Sequence, residues 1–263
     1  MSALGDYMFE KFIWPKKRIV HQMIGSLPMG GAVTGSPIYA FEVTPDLLKF
    51  TSQPSLQTRK NEIDLGGKLA FLIDDVITDS EANHIIAASE ILGYREDAPG
   101  IATPPGMRMN KSVHWIADES MLGLIMSRIR KFLPIEISGH HLHSELSHRI
   151  NMYRYDNKDV FKQHIDGDWP GYGLDESRTL MNEWPGYRSC LTMLLYLNGP
   201  EDGVQGGHTK LLHDDGYWVD IIPKKGSALF FRHGFGVDSV SHIGDQVIGD
   251  VSKYVARINV MYS

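Results

Sequence analysis

The chain has 263 residues, of which 42% are hydrophobic and 22% are charged. Its length suits one large domain with a sizeable core, and its composition is ordinary for a globular protein. The net charge of −6, from 26 Lys and Arg against 32 Asp and Glu, argues against nucleic acid as a partner. Because no uninterrupted apolar run reaches about eighteen residues, we expect no membrane span.

Cysteine and histidine usage narrows the possible chemistry. Cys190 is the single cysteine, so an intrachain disulfide and a multi-cysteine zinc site are excluded. The 12 histidines indicate that any bound metal has nitrogen and oxygen ligands. Residues 1–14 do not have the pattern of a secretory signal. We therefore expect a cytoplasmic protein.

The first part of the chain has no steady hydrophobic period. Residues 1–65 are interrupted by "PMGGAVTGSP" and "TSQPS" and predict an irregular extension packed on a domain formed by residues 66–263. A strand is predicted over residues 68–77.

Two helices are predicted next. Residues 78–93 have helical spacing, and Thr78 with Glu81 forms a capping-box pattern at their start. Residues 118–134 predict a second helix with Asp118 as its N-cap.

From residue 140 onward the sequence consists of short β-rich runs separated by Gly, Pro, Asn and Asp. Two helices followed by such runs predict an α+β, mainly β fold, in which helices buttress an antiparallel barrel. A long loop, residues 167–187, is expected among the strands and is of the kind that often closes over a site. The predicted strands cover residues 148–156, 160–165, 188–197, 208–213, 217–222, 227–231 and 251–262.

The segment "FKQHIDGD" places His164 and Asp166 on one face at the end of a strand. Alone, this pair favours a structural hydrogen bond between the two side chains, with half of an acid–base pair and part of a metal site as the alternatives. A third ligand would complete the two-histidine, one-carboxylate set that binds iron(II) and leaves coordination positions open. The candidates for that ligand are His208, His213, His233 and His242.

His242 is favoured because of the strand that follows it. In "KYVARINVMY", one face carries Lys253, Val255, Arg257 and Asn259. Cations on the inward face of a barrel need an anion, because an unpaired buried charge is costly. A small dicarboxylate would supply that anion.

Six segments occur in the order seen in prolyl 4-hydroxylase-like, iron(II)- and 2-oxoglutarate-dependent dioxygenases, which the chain resembles over about residues 70–262. The segments are "FKQHID", "RSCLTMLLYLN", "GGHTKL", "PKKGSALFF", "VSHIG" and "GDVSKYVARINVMY".

The resemblance implies a double-stranded β-helix, or jelly-roll, barrel with a metal triad of His164, Asp166 and His242. It implies iron(II) as the metal, 2-oxoglutarate as cosubstrate, O2 as oxidant and ascorbate as a stimulant. The cosubstrate-binding cation maps to Lys253, although it lies eleven residues after His242 instead of the family's ten. Arg257, on the same face, is therefore the alternative.

Three tyrosines are candidates for the cosubstrate pocket. Tyr196 lies where related enzymes place a tyrosine near the far carboxylate of the cosubstrate. Tyr153 and Tyr155 share a strand face with other polar side chains, as a ligand pocket requires. Packing in the core with a hydrogen-bonded hydroxyl is the alternative for each tyrosine.

The resemblance implies hydroxylation of an unactivated C–H bond, with release of succinate and CO2. We expect a small-molecule or amino-acid-type substrate, and the oligomeric state stays open. The alternatives are a peptidyl-prolyl hydroxylase and a non-catalytic or keto-acid-independent, cupin-like metal protein.

Residues near the long loop are candidates for substrate contact. Aromatic side chains of the loop could close over a compact substrate, and one of its arginines could hold a carboxylate. His233 is expected near the rim of the barrel. The candidate loop residues are Trp169, Tyr172, Arg178, Trp184 and Arg188.

Overall fold

The computed structural model describes residues 12–26, 32–52, 56–96 and 103–263, which form eighteen strands and two α-helices. The helices are α1 (Asp79–Leu92) and α2 (Glu119–Ile129). The strands are β1 (Lys17–Ser26), β2 (Ala32–Phe41), β3 (Arg59–Glu62), β4 (Ala70–Asp74), β5 (Lys111–Ile116), β6 (Glu136–Ile137), β7 (His140–Leu146), β8 (Arg149–Tyr155), β9 (Phe161–His164), β10 (Pro170–Leu174), β11 (Met181–Tyr196), β12 (Gln205–Gly206), β13 (Thr209–Leu212), β14 (Trp218–Ile221), β15 (Ala228–Arg232), β16 (His242–Gly244), β17 (Val247–Ile248) and β18 (Lys253–Tyr262).

Two sheets make up the barrel. The larger sheet has the order β1-β2-β5-β8-β18-β11-β15-β4-β3, and the smaller one has the order β14-β13-β16-β9. Apolar side chains of both sheets pack together between them, including Leu194 of β11, Leu211 of β13 and Val255 of β18. Antiparallel pairs dominate, as expected where hairpins and crossing connections join two stacked sheets. This arrangement confirms the jelly-roll barrel that the sequence predicts.

The two helices cover the outer face of the larger sheet. Alternate residues of β18, such as Tyr254 and Ile258, join Ile85 of α1 and Ile125 of α2 in one buried cluster. The intervening residues of β18 face the interior of the barrel. Period-two alternation therefore gives β18 an apolar outer face and a charged inner face, as predicted.

The sequence predictions for regular structure from residue 68 onward are largely confirmed. The seven predicted runs correspond to β8, β9, β11, β13, β14, β15 and β18. Thr78 and Glu81 form the predicted capping box: the Glu81 N–H donates to Thr78 Oγ1 at 3.1 Å, and the Thr78 N–H donates to Glu81 Oε2 at 2.8 Å. Asp118 caps α2 by accepting a hydrogen bond from the Ser120 N–H.

The N-terminal segment differs from the expected irregular extension. Residues 17–26 and 32–41 form the antiparallel hairpin β1–β2, and β2 continues the larger sheet by parallel pairing with β5. Residues 28–31 of the interruption at 28–37 and residues 53–55 of the interruption at 51–55 lie outside the described residues. Pairing between distant strands overrides the weak local pattern here. The domain boundary at residues 65 and 66 stays a prediction.

The expected loop over residues 167–187 is also partly regular. It contains β10 and the first part of β11, which pair antiparallel as Tyr172 with Glu183 and Gly173 with Asn182. The indole ring of Trp184 lies against the backbone of Gly171 and Gly173, where a Cβ atom would collide with it. The glycines, which locally suggest a loop, are needed to seat that ring.

None of the helices in the described ranges is long and apolar enough to cross a membrane. The cytoplasmic compartment stays a prediction.

Replacing Thr78 by Ala removes the side-chain acceptor for the Glu81 N–H at the start of α1. We expect the free energy of unfolding to fall by about 1 kcal/mol, as is typical for a lost N-cap. Urea denaturation followed by circular dichroism measures this change. The exposed Thr51→Ala substitution is the control, and equal stabilities for the two variants would contradict the capping role.

Candidate metal centre

Three side chains from two paired strands meet at one point in the barrel. His164 ends β9, Asp166 follows two residues later, and His242 begins β16. Strands β9 and β16 pair antiparallel with His242 directly opposite His164. The ligand atoms offered by the three residues all lie within 4.8 Å of one another. The arrangement brings together the triad expected from the sequence.

Both imidazoles present the same nitrogen to this point. His164 Nδ1 lies 2.7 Å from the Lys162 carbonyl oxygen, and His242 Nδ1 lies 3.3 Å from the Val240 carbonyl oxygen. Because a carbonyl oxygen only accepts, each Nδ1 carries the proton and each Nε2 keeps its lone pair. Burial lowers the pKa of His164 to about 3 and also lowers the pKa of His242. Both rings are therefore neutral at pH 7, the form that binds metals.

The carboxylate of Asp166 is held by two donors. Its Oδ2 atom accepts hydrogen bonds from Thr192 Oγ1 at 2.7 Å and from Arg257 Nε at 2.9 Å. Burial alone would raise the pKa of Asp166, but the Arg257 guanidinium and the imidazoles hold it well below its usual range. Asp166 is thus an anion at neutral pH. Its Oδ1 atom lies 3.8 Å from His164 Nε2.

Thr192 links the carboxylate to a further histidine. Thr192 Oγ1 lies 2.7 Å from His233 Nδ1, and His233 Nε2 lies 2.8 Å from Ser189 Oγ. Since Thr192 donates to Asp166, its oxygen accepts from the His233 Nδ1–H group. His233 therefore positions Thr192 and is not among the residues whose ligand atoms converge.

Lys253 lies in the same cavity as the triad. Its ammonium group donates to the carbonyl oxygen of Gly207 and lies 5.4 and 5.5 Å from the ring centroids of Tyr155 and Tyr196. Burial lowers the pKa of Lys253 to about 7, and no carboxylate of the described residues lies within ion-pair distance of it. The cavity is also lined by Tyr153, Leu194, Thr209 and Val255.

The environments of Lys253 and Arg257 separate the two candidates for the cosubstrate cation. The Arg257 guanidinium is already paired with Asp166. Lys253 is fully desolvated and has a backbone carbonyl as its hydrogen-bond acceptor. Lys253 is therefore the cation with unused capacity for an anion.

Comparison with solved structures shows which fold carries this centre. A viral collagen prolyl hydroxylase from Paramecium Bursaria Chlorella virus-1, described as a 2OG complex, matches with a TM-score of 0.51 and 22% sequence identity. The match covers 76% of this chain and 98% of the viral one. The fold is that of prolyl hydroxylases.

A second solved structure with the prolyl hydroxylase fold comes from Trichoplax adhaerens and is described as a complex with a hypoxia inducible factor peptide fragment. It matches with a TM-score of 0.52 and 14% identity, over 74% of this chain and 84% of its own. No protein-family model matches the chain, and no curated protein matches it.

The two arginines predicted to contact substrate lie outside the cavity that holds the triad, and Arg188 lines a separate cavity of about 460 Å³ together with His233 and Trp184. Arg178 donates to the N-cap carboxylate of Asp118 at 2.8 Å, and Arg188 is hydrogen-bonded to Asp168. Neither arginine lines the cavity that holds the triad. Both guanidinium groups already have carboxylate partners, which the linear sequence does not reveal.

The aromatic residues of the expected loop divide into two groups. Trp184 packs with its ring centroid 5.1 Å from that of His148 and lines the cavity that also contains His233 and Arg188. Trp169 and Tyr172 instead lie against the Arg149 guanidinium, whose carbon is 5.3 and 5.6 Å from their ring centroids. Substrate contact by Trp169, Tyr172 and Trp184 stays a prediction.

Sequence reasoning missed several polar residues beside the centre. Thr192 and Arg149 lie within predicted strands that assign them no role, and His114 lies on β5, a strand that the sequence does not predict. His114 pairs in register with Asn151 of β8. The alternation along "RINMYRY" was the signal available for Arg149 and Asn151, because it sets them on the face that carries Tyr153.

The lowered pKa of Lys253 predicts a pH dependence of stability. Between the folded value of about 7 and the usual value of 10.5, the unfolded chain holds a proton that the folded chain has lost. The free energy of unfolding of the metal-free protein should therefore rise with pH in this window, by up to about 1.4 kcal/mol per unit. Urea denaturation at several pH values measures the slope. Lys253→Met should remove this contribution, and parallel curves for the two proteins would show that Lys253 titrates normally.

Proposed function

We propose that this protein is an iron(II)- and 2-oxoglutarate-dependent dioxygenase that hydroxylates an unactivated C–H bond of a small, amino-acid-type substrate. The observation that carries the proposal is the convergence of two imidazoles and one carboxylate in a buried cavity that also contains an unpaired lysine. The prolyl hydroxylase fold supports the same assignment.

The residues present fit an iron(II) ion. Two neutral Nε2 atoms and an ionised carboxylate are the donor set of the facial triad, which leaves positions open for other ligands. His164, Asp166 and His242 would hold the metal. When bound, iron(II) supplies the activation of O2 that couples conversion of 2-oxoglutarate to succinate and CO2 with hydroxylation of the substrate.

The protein's own groups prepare this donor set in advance. The Nδ1 contacts fix the tautomer and the ring orientation of both histidines. Arg257 and Thr192 keep Asp166 ionised by donating to Oδ2, and they leave Oδ1 free to bind a cation. The centre therefore requires little rearrangement to receive a cation.

Lys253 would receive the far carboxylate of 2-oxoglutarate. A carboxylate beside the buried ammonium would restore the charge that burial disfavours, and the paired ions would gain from the low local dielectric. Tyr155 and Tyr196 flank the ammonium group, and the Tyr196 hydroxyl donates to Thr209 Oγ1 at 2.8 Å. These residues would shape the end of the pocket around the cosubstrate.

A second candidate function is hydroxylation of peptidyl proline. It is favoured by the structural match to an enzyme described with a peptide fragment bound. Coupled assays of succinate release with free amino acids and with proline-containing peptides separate the two substrate classes. A keto-acid-independent, cupin-like metal protein would give no succinate with either class and no role to Lys253.

Anaerobic addition of iron(II) and 2-oxoglutarate should produce a weak visible charge-transfer band, as expected when a keto acid chelates iron. In Lys253→Ala the concentration of 2-oxoglutarate needed for half of the band should rise roughly 30-fold or more, because a buried charge loses its partner. Absorption titration measures both values. Lys224→Ala, at an exposed surface lysine, is the matched control. An unchanged affinity in Lys253→Ala would remove this anchor, and the absence of a band in the wild type would reject the dioxygenase.

A further inference from the structure

The barrel contains one more buried cation than the proposed chemistry uses. Within the described ranges, the buried Lys and Arg residues are Arg149, Lys253 and Arg257. Lys253 faces the cosubstrate end of the cavity, and Arg257 is paired with Asp166. Arg149 has no carboxylate partner among the described residues; its polar contacts are with His114 and with the Tyr172 hydroxyl.

The contacts of Arg149 do not neutralise its charge. Its Nη2 atom lies 3.2 Å from His114 Nδ1, and its Nε atom is buried without a hydrogen-bond acceptor in the described part of the chain. Burial and the neighbouring arginines hold the pKa of His114 well below its usual value, so this ring is neutral. No carboxylate of the described residues lies within ion-pair distance of Arg149. An isolated buried cation is costly, and proteins rarely retain one without a use.

Two amide oxygens beside Arg149 also lack a well-aligned donor, although the Asn151 side chain lies close to His114. The Oδ1 atoms of Asn151 and Asn259 are buried without a hydrogen-bond donor among the described residues. Both side chains are more than nine-tenths buried, as is Arg149. Unpaired buried donors and acceptors of this kind carry a large desolvation cost unless a ligand satisfies them.

Strand register places this group beside the metal centre and away from Lys253. Asn151 is paired with Arg257, the residue that holds Asp166, and Asn259 is paired with Thr192, which also donates to Asp166. Lys253 lies six residues before Asn259 along β18, a span of roughly 20 Å in an extended strand. The metal ligand therefore lies between the two unpaired cations.

We propose that Arg149, Asn151 and Asn259 form the substrate subsite and bind the carboxylate and the amino group of a free α-amino acid. The guanidinium of Arg149 would pair with the carboxylate, and the two amide oxygens would accept hydrogen bonds from the ammonium group. Trp169 and Tyr172, which lie against the guanidinium, would shield this pair from solvent. This inference rests on the proposed dioxygenase function and names the substrate class of that site.

The chemistry of the subsite distinguishes a free amino acid from a residue within a peptide. An internal peptide residue has no carboxylate to pair with Arg149, and its amide nitrogen carries no charge. A buried guanidinium left unpaired penalises such a ligand strongly. The same group that attracts the free acid thus excludes the peptide.

Isothermal titration calorimetry on the anaerobic protein loaded with iron(II) and 2-oxoglutarate tests the proposal. The probes are the free protein amino acids and their primary carboxamides. At least one acid should bind roughly 30-fold or more tightly than its own carboxamide. Arg149→Met should abolish this preference, and Arg149→Lys should retain part of it. Arg178→Met is the control: Arg178 is paired with Asp118, and this variant should keep the preference for the acid.

The outcomes separate this inference from the function on which it rests. A charge-transfer band in the wild type with no acid preferred over its carboxamide, or with the preference intact in Arg149→Met, overturns the subsite alone. Absence of the band rejects the dioxygenase itself. The melting temperature without substrate tests whether Arg149 has a structural role. Arg149→Met should melt no lower than the wild type, because the substitution removes a buried charge that has no carboxylate partner. A lower melting temperature would show that Arg149 holds the fold together and would also count against the subsite.

Discussion

The pairing of Asp166 with Arg257 is the interaction on which the rest of the site depends. A carboxylate inside a barrel would normally take up a proton, and a protonated acid is a poor metal ligand. The guanidinium and the Thr192 hydroxyl both bind the same oxygen and leave Oδ1 free. The anionic ligand is thereby present before any metal arrives. Removing the arginine alone would strand the carboxylate, at a cost of about 3–5 kcal/mol.

Strand β18 makes that pairing possible because one of its faces packs in the core and the other carries the buried cations. Its outer face packs Tyr254, Ala256 and Ile258 under the helices, and this packing fixes the strand within the larger sheet. Its inner face then delivers Lys253 and Arg257 at a defined spacing along one line. The distance between the cosubstrate end and the metal end of the cavity is therefore set by strand geometry, not by flexible loops.

The features that could be predicted from the sequence are those that depend on residues close together in the chain. The pair His164 and Asp166, the alternation of β18 and the capping box of α1 all follow from spacing within a few residues. The partners of buried charges could not be read in this way. Arg178 and Arg188 look like free cations in the sequence, yet Asp118 and Asp168 are brought to them by the fold. Arg149 has no distinguishing local pattern in the sequence, yet it is a buried arginine that no carboxylate of the described residues reaches.

The same limit explains the missed strands. Strand β5 lacks a strong local signal and is stabilised by β8 on one side and β2 on the other. The hairpin of β10 and β11 depends on how the Trp184 ring seats against two glycines. In both cases long-range packing decides what the local sequence leaves ambiguous.

The N-terminal hairpin determines where local unfolding of the larger sheet begins. Outer strands of a sheet fray most readily, because one row of their backbone groups has no neighbour to hold it. In this protein β1, β2 and β5 stand between that open rim and β8, which carries Arg149, Asn151 and the pocket tyrosines. Local unfolding that starts at this edge must separate three strands before it reaches β8, whose tyrosines line the cavity. Strands β1 and β2 thus separate the residues of the cavity from the edge of the sheet at which local unfolding begins.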